Sequence, residues 1–223
     1  MTTIWPPFNG LPDKVMRIEL QNIKPNYMSE SEVSGSDIYL KPSVIFERGK
    51  KYMVCAKSGH GKTSLLNFIY GTSRNFDGTI EYHEAARDPF MFRRDKLSYL
   101  FQDLRLFNEL TAVENVLLKN NLTHHKSDAE INAMLDALMP PEKKQQPVGT
   151  LSLGQRQRVA VVRALCQPFE FLLLDEPFSH IDHDNAVRVA TLVNEEVKRQ
   201  DAALIVTALD TIDLFDFDIT LNL

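Results

Sequence analysis

The stretch that decides the fold is Ala56-Lys57-Ser58-Gly59-His60-Gly61-Lys62-Thr63. An apolar run, Lys51 to Cys55, leads into it, and a helical pattern, Ser64 to Tyr70, leads out of it. A strand, a loop with two glycines and a helix that opens on Gly-Lys-Thr are typical of a phosphate-binding P-loop. A chance glycine-rich turn is the alternative, but it would leave the flanking strand and helix unexplained. We therefore predict that this loop binds a nucleoside triphosphate.

The residue types of this loop suit that chemistry. Its two glycines let the backbone curl so that successive N–H groups point at phosphate oxygens, where the helix dipole adds positive potential. Lys62 brings a full charge to the terminal phosphates, and the Thr63 hydroxyl can ligate Mg²⁺. Ala56 stands where the first glycine of the motif usually is, and a left-handed backbone there would cost only about 1–2 kcal/mol. The predicted nucleotide-binding residues of the loop are Ser58, Gly59, His60, Gly61, Lys62, Thr63 and Ser64.

Composition limits the class of protein. A length of 223 residues with 43% hydrophobic and 25% charged residues is ordinary for one soluble domain. The net charge of −5 does not indicate a nucleic-acid partner. No apolar run approaches the roughly 18 residues of a membrane span, and the first residues lack the pattern of a signal peptide. Cys55 and Cys166 lie in apolar segments, so we expect buried free thiols and a cytoplasmic location.

Strands and helices alternate along most of the chain. Residues 1–14 contain Pro6, Pro7 and Pro12 and are predicted to form an extended N-terminal extension, followed by a single domain over 15–223. Two strands joined by a polar hairpin loop are predicted at Val15–Ile23 and Ile38–Phe46. Later strands are predicted at Thr79–Tyr82, Lys96–Phe101, Glu170–Leu174, Ala203–Thr207 and Asp218–Leu221, and later helices at Leu153–Cys166 and Asn185–Lys198.

The middle of the chain is helical. Thr111 and Ser127 each begin a capping box that opens a helix. In the second helix Ile131 is followed by Leu135, Leu138 and Met139 at helical spacing, which predicts one buried face before Pro140. The fold class that we predict is α/β: a P-loop NTPase with a mostly parallel central sheet, an antiparallel β-subdomain and a small helical subdomain at about 103–168.

Two adjacent carboxylates follow the apolar run Leu172-Leu173-Leu174. Ligands of open α/β sheets bind at the carboxyl ends of the strands, where Asp175 and Glu176 are placed. We predict that Asp175 binds Mg²⁺ and that Glu176 is the general base for an attacking water. The alternative is that the two carboxylates simply form a solvated turn after a core strand. The P-loop in the same chain favours a role in nucleotide chemistry instead.

Five motifs, taken in order, resemble those of the ATP-binding cassette (ABC) ATPases, over almost the whole chain from Arg17. After the P-loop comes Leu100-Phe101-Gln102-Asp103, which is similar to the Q-loop of that family. Leu151-Ser152-Leu153-Gly154-Gln155 resembles its signature segment, which usually reads Leu-Ser-Gly-Gly-Gln. The strand that ends in Asp175-Glu176 follows, and Ser179-His180-Ile181-Asp182 then looks like the D-loop.

The resemblance implies a head-to-tail dimer in which each ATP is held by one P-loop and capped by the signature helix of the other subunit. It assigns Ser152, Gly154 and Gln155 to that cap, and it assigns Gln102 to Mg²⁺, to the attacking water and to signalling toward a transmembrane permease. The catalytic residues it implies are Glu176, Lys62 and Gln102, and the metal residues are Thr63, Gln102 and Asp175. Tyr27 stands where the family places an aromatic residue that stacks on adenine, although an exposed loop tyrosine is the alternative.

The segments around Tyr27, Gln102 and Leu110 to Val116 look most similar to the branch of lipoprotein-releasing, macrolide-exporting and cell-division ATPases. The resemblance therefore places the chain at the inner face of the cell membrane, attached through a permease. It leaves open whether the dimer is a homodimer or contains a different ABC ATPase, and which molecule is transported.

Two positions depart from the family pattern. Leu153 replaces the first signature glycine, and Ala208 stands where the family has a histidine that contacts the γ-phosphate. Loss of one such contact typically costs about 10²–10³ in rate. Three explanations fit these departures: a slow enzyme, a subunit that pairs with a complete ABC cassette, or a clamp that binds ATP with little turnover. We expect a working but weakened ATPase. The alternative is an ATP-gated regulator of a membrane partner. An ABC protein of DNA repair or translation is less attractive, because the region 103–150 is too short for a coiled coil.

Overall fold

The computed structural model describes residues 16–83 and 89–223, so the predicted extension over 1–14 lies outside the described residues. Within them, eight strands occur: β1 (Arg17–Pro25), β2 (Val44–Glu47), β3 (Lys51–Cys55), β4 (Phe76–His83), β5 (Leu97–Leu100), β6 (Phe171–Asp175), β7 (Ala203–Ala208) and β8 (Ile219–Asn222). Seven α-helices accompany them: α1 (Glu30–Val33), α2 (Lys62–Tyr70), α3 (Pro89–Asp95), α4 (Ala112–Asn120), α5 (Asp128–Leu138), α6 (Leu153–Leu165) and α7 (His183–Arg199).

The central sheet is parallel, as predicted. Its strand order is β5-β6-β7-β3-β8, and every neighbouring pair runs parallel. All residues of β6 and β7 are buried, because helices and the second sheet cover both faces. The carboxyl ends of β3 and β6 lead into the P-loop and the Asp175-Glu176 pair, so both halves of the predicted site lie at one edge of the sheet.

The second sheet is antiparallel, with the order β2-β1-β4, which confirms the predicted β-subdomain. The predicted strand over Ile38–Phe46 is wrong in its first half, because only Val44–Glu47 is a strand. The Ser36 hydroxyl accepts the N–H groups of Ile38 and Tyr39 at 3.0 and 2.8 Å and folds that segment into a turn. Both side chains are buried against the core without strand pairing. The connection predicted as a plain loop also contains α1.

The core consists of two apolar clusters on opposite faces of the parallel sheet. Leu172 and Leu174 of β6 belong to one cluster, which also takes in the buried faces of α4, α5, α6 and α7. Phe171 and Leu173 alternate with them and belong to the other, which includes α2 and the antiparallel sheet. The alternation follows the period of two of a β-strand, so that one strand serves both clusters.

The helical segment follows its sequence signals. Thr111 with Glu114, and Ser127 with Glu130, form the predicted capping boxes at the starts of α4 and α5. The predicted face of α5 is buried, and the helix ends at Leu138, two residues before Pro140. In the described part of the chain, none of the helices is both long enough and apolar enough to cross a membrane. The limits of the helical subdomain stay a prediction.

Candidate functional site

The P-loop connects the end of β3 to the start of α2. Gly59 and Gly61 have φ values of 84° and 88°, in the left-handed region that glycine tolerates. A Cβ on Gly61 would also lie only 2.8 Å from the hydroxyl of Tyr39, which donates a hydrogen bond to the Gly61 carbonyl. Ala56 keeps a negative φ, so the left-handed conformation considered for it does not arise. Position 61 therefore requires glycine, and position 56 does not.

A cavity of about 180 Å³ opens above this loop. It brings together residues from four separate parts of the chain, and all of them are residues that the sequence singles out. Its lining consists of Tyr27, Ser58, Gly59, Gly61, Lys62, Thr63, Ser64, Gln102 and Glu176.

Lys62 is buried at the floor of the site, with 5% of its surface exposed. Its Nζ donates to the carbonyl oxygens of Ala56 and Lys57 at 2.6 and 3.1 Å and lies 3.2 Å from Glu176 Oε1. A buried ammonium is costly unless it is paired and hydrogen-bonded, and these contacts supply both conditions. The ion pair also places the predicted base beside the predicted phosphate ligand.

The three predicted metal residues lie together. Thr63 Oγ1 donates to Gln102 Oε1 at 3.1 Å, and Asp175 is buried at the end of β6. Burial raises the pKa of Asp175, while hydrogen bonds from Thr207 and Thr63 act in the opposite direction. A hydroxyl, an amide oxygen and a carboxylate form an oxygen donor set of the kind that Mg²⁺ prefers. These residues fit that ion.

Glu176 has a left-handed backbone, with φ at 48°. Such a conformation costs a non-glycine residue about 1–3 kcal/mol and persists only where neighbouring contacts enforce it. Its N–H donates to the carbonyl and to the hydroxyl of Thr207, both at 3.2 Å, and its carbonyl accepts from Gln157 Nε2 at 3.1 Å. The backbone is thus held from two sides while the carboxylate points at Lys62.

Thr207 is a residue that the sequence analysis missed. Its hydroxyl donates to Asp175 Oδ1 at 2.6 Å and also meets the N–H of Glu176, so one side chain positions both carboxylate residues. Tyr99, whose hydroxyl lies 3.5 Å from Asp175 Oδ2, was missed as well. A threonine near the end of the apolar run Ala203–Ala208 was the available signal, since a buried hydroxyl needs a partner.

Tyr27 lies at the rim of the cavity. Its side chain is 60% exposed, and its hydroxyl is hydrogen-bonded to Ser64 Oγ. The aromatic ring is therefore accessible beside the P-loop, where a base could stack on it; stacking on adenine stays a prediction. His60 is exposed on the other side of the loop and lines a separate depression with Cys55, Leu209 and Asn222.

The signature residues lie elsewhere on the described surface, at the start of α6. Ser152 is the N-cap: its hydroxyl accepts the Gln155 N–H at 3.2 Å, and Gln155 Oε1 accepts the Ser152 N–H at 2.9 Å. A Cβ on Gly154 would lie 2.6 Å from the carbonyl oxygen of His180, so the signature helix packs closely on the predicted D-loop. Leu153 is 40% exposed beside them.

Ala208 ends β7 next to the P-loop strand, in register with Cys55. It lines a cavity of about 220 Å³ that also includes Glu176 and Phe178, so a larger side chain at this position would face the predicted base. Of the two free cysteines, Cys166 is buried as predicted and burial raises its pKa to about 12, whereas Cys55 is only half-buried.

Comparison with known proteins places this arrangement in a family. A family model described as ABC transporter matches residues 40–179. The thiamine import ATP-binding protein ThiQ of Escherichia coli K12 is 32% identical over 74% of this chain and 73% of its own. The lipoprotein-releasing system ATP-binding protein LolD of Ehrlichia chaffeensis is 29% identical, over 83% and 82% of the two chains. The dimeric structure of the bacterial ABC transporter cassette MJ0796 matches with a TM-score of 0.67 at 23% identity, over 86% of this chain and 88% of that one, and shows the fold.

The chain belongs to the ABC transporter family, as an ATP-binding subunit of a transport system. The predicted family and fold class are confirmed, and an ATP-binding protein of a lipoprotein-releasing system is among the relatives of this chain. The same set includes an ATP-binding protein named for thiamine import, so the relatives represent both import and release.

Proposed function

We propose that this subunit hydrolyses ATP in a Mg²⁺-dependent reaction and powers a membrane complex through ATP-driven dimerisation. The observation that supports hydrolysis is the convergence of Lys62, Thr63, Gln102 and Glu176 on one cavity. A protein that only bound ATP would not need Glu176 in a strained backbone conformation beside Lys62.

Each residue has a role in the proposed reaction. Thr63, Gln102 and Asp175 would hold Mg²⁺, which would supply positive charge that offsets the charge of the phosphates. Lys62 binds the same phosphates from the floor of the cavity. Glu176 accepts the proton of a water molecule that attacks the γ-phosphorus, and the bond to the β-phosphate oxygen breaks to release phosphate.

The second half of the site comes from another subunit in this proposal. Within one chain Ser152 is exposed and Gly154 and Gln155 are half-buried at the start of α6, and none of the three lines the P-loop cavity described above. The Ser152 hydroxyl accepts one hydrogen bond from its own helix and can still donate its proton to a γ-phosphate. The N-terminus of α6 adds N–H groups and dipole potential, and loss of the γ-phosphate would then release the pair.

In this proposal the dimer binds a transmembrane permease at the inner face of the membrane. The resemblance of the motifs to the lipoprotein-releasing, macrolide-exporting and cell-division branch of the family implies the same arrangement. The relatives support a role in a transport system, since their names record thiamine import and lipoprotein release. The domain proposed to carry this role is 15–223, with the helical subdomain over about 103–168. The partner ATPase in this proposal is either a second copy of this chain or a different ABC ATPase.

Ala208 and Leu153 weaken the enzyme in this account. Without an imidazole at position 208 one polar contact to the γ-phosphate is missing, and such losses cost about 10²–10³ in rate. A second candidate function, an ATP-gated clamp with little turnover, is favoured by the same two positions. Lys62, Gln102 and Glu176 favour the enzyme.

Steady-state phosphate release separates the two functions. The purified chain is measured alone and with a permease complex, beside the Lys62→Ala variant as a control for contaminating ATPase. We expect release that depends on Mg²⁺ and is absent in Lys62→Ala. Release no higher than that of Lys62→Ala, with and without the permease, would exclude the enzyme and leave the clamp.

A further inference from the structure

A second group of ionisable side chains lies on the antiparallel sheet, which is a different sheet from that of the P-loop. Glu19 of β1, and Glu81 and His83 of β4, place three potential ligand atoms within 4.8 Å of one another. His83 Nε2 lies 3.1 Å from Glu19 Oε2 and 3.8 Å from Glu81 Oε2. We propose that these three side chains form a binding site for a divalent transition metal ion of the Zn²⁺ type.

The strand register supports a cation at this place. Glu19 and Glu81 are direct cross-strand partners in the β1–β4 pair. Like charges directly opposite each other in an antiparallel sheet are destabilising. Within residues 16–83 and 89–223, His83 is the basic side chain that contacts each of these carboxylates, and no lysine or arginine nitrogen lies within 4 Å of their oxygens. A bound dication would replace this repulsion by attraction.

Glu19 is held in a ligand orientation by neighbouring side chains. Its Oε1 accepts from Gln21 Nε2 at 3.1 Å and from Ser43 Oγ at 2.8 Å, which leaves Oε2 directed at His83. Thr79 in turn donates to Gln21. Hydrogen-bonded carboxylates of this kind are characteristic of metal sites.

The donor set and spacing indicate the type of ion. Zn²⁺ binds nitrogen and oxygen at about 2.0–2.2 Å, so tetrahedral ligands lie about 3.3–3.6 Å apart. The two distances to His83 Nε2 fall just on either side of that range, and a small rotation of Glu81 would close the site. One imidazole with two carboxylates suits Zn²⁺ and similar ions, unlike the oxygen-only set proposed for Mg²⁺. The side chains are 11–24% exposed, so an ion can reach them and a water can complete the shell.

Zinc titration of the full chain without nucleotide tests the proposal. Competition with a chromophoric chelator gives affinity and stoichiometry for the wild type, His83→Ala and Glu81→Gln, with His183→Ala as a matched control because His183 is exposed at the start of α7. We expect one Zn²⁺ per wild-type chain, a loss of about tenfold or more in affinity in the first two variants, and no loss in the control. Co²⁺ in place of Zn²⁺ should give the visible absorption of a tetrahedral site in the wild type and in the His183→Ala control, but not in His83→Ala or Glu81→Gln.

Two results would overturn the proposal. One is a wild-type chain that binds no Zn²⁺ at micromolar free concentration. The other is a His83→Ala or Glu81→Gln chain that is folded by circular dichroism and binds Zn²⁺ as tightly as the wild type. Glu81→Gln keeps the shape of the side chain on the sheet surface, so it tests the site even if His83→Ala unfolds.

Discussion

Two adjacent residues at the end of β6 are energetically unfavourable without their hydrogen-bond partners. Asp175 and Glu176 are costly where they stand, one because it is buried and the other because its backbone is left-handed. Thr207 offsets both costs through hydrogen bonds to the carboxylate of the first and the N–H of the second. The site therefore depends on a hydroxyl that has no direct role in the proposed reaction.

Thr207→Val tests that dependence. Valine keeps the shape of threonine but leaves Asp175 Oδ1 and the Glu176 N–H without this partner, so the free energy of unfolding in urea should fall by about 1–3 kcal/mol. Thr207→Ser, which retains the hydroxyl, should recover most of the loss. A valine variant as stable as the wild type would show that the hydrogen bonds carry no net energy.

A second prediction concerns Ala208. The cavity of about 220 Å³ that it lines has room for an imidazole on the side of Glu176. If the missing histidine limits turnover, Ala208→His should raise phosphate release by up to about 10²-fold, whereas Ala208→Asn should not. An unchanged rate in the histidine variant would mean that another step limits the reaction.

At the scale of elements, a buried ion pair joins the helical segment to α7. Lys126, just before α5, contacts Glu196 of α7 at 2.5 Å, and Arg199 contacts the same carboxylate at 2.8 Å. Burial by itself raises the pKa of Glu196, but hydrogen bonds from Arg199 and Lys126 outweigh it and leave the pKa below its ordinary value. The pKa of Glu196 is thus lower in the folded state than in the unfolded state. The pair therefore stabilises the fold fully above the unfolded-state pKa, and this stabilisation is lost as the pH falls from that value through the folded-state pKa.

Glu196→Gln tests this pH dependence. At pH 7 the variant leaves Lys126 without its closest partner, which typically costs about 3 kcal/mol in the free energy of unfolding. The difference from wild type should be constant near neutral pH and shrink as the pH falls below about 4.3, the ordinary value for a glutamate. The matched control is Glu195→Gln, since Glu195 is exposed on the same helix. A difference that stays constant down to pH 3.5 would contradict the assignment.

At the scale of the whole molecule, the sequence predicts what depends on local pattern. The P-loop, the apolar strands and two capping boxes follow from residue types at fixed spacings, and the structure confirms them. Ile38 and Tyr39 were misread as strand because their burial is tertiary, enforced by the Ser36 turn. Thr207 was missed because its partners are 31 and 32 residues away in the chain. The helix α3 gave no periodic signal strong enough for a prediction.

The complete site, like the contacts of Thr207, depends on residues that are far apart in the sequence. Its residues on one chain form a cavity with the P-loop, whereas Ser152, Gly154 and Gln155, at the start of α6, do not line that cavity. The proposed function requires that the cavity of one subunit meets the start of α6 of another across an interface, so ATP should act as the ligand that joins them.

The most direct measurement of that claim is the molar mass of Glu176→Gln in solution, by light scattering after size exclusion, with and without ATP and Mg²⁺. Glutamine cannot accept the proton of water, so ATP should persist and hold two chains together, and the mass should rise from about one chain to about two. Lys62→Ala in the same background should stay monomeric. If Glu176→Gln binds ATP but remains a monomer, both alone and mixed with its partner ATPase, then the signature segment does not complete the site and the account is contradicted.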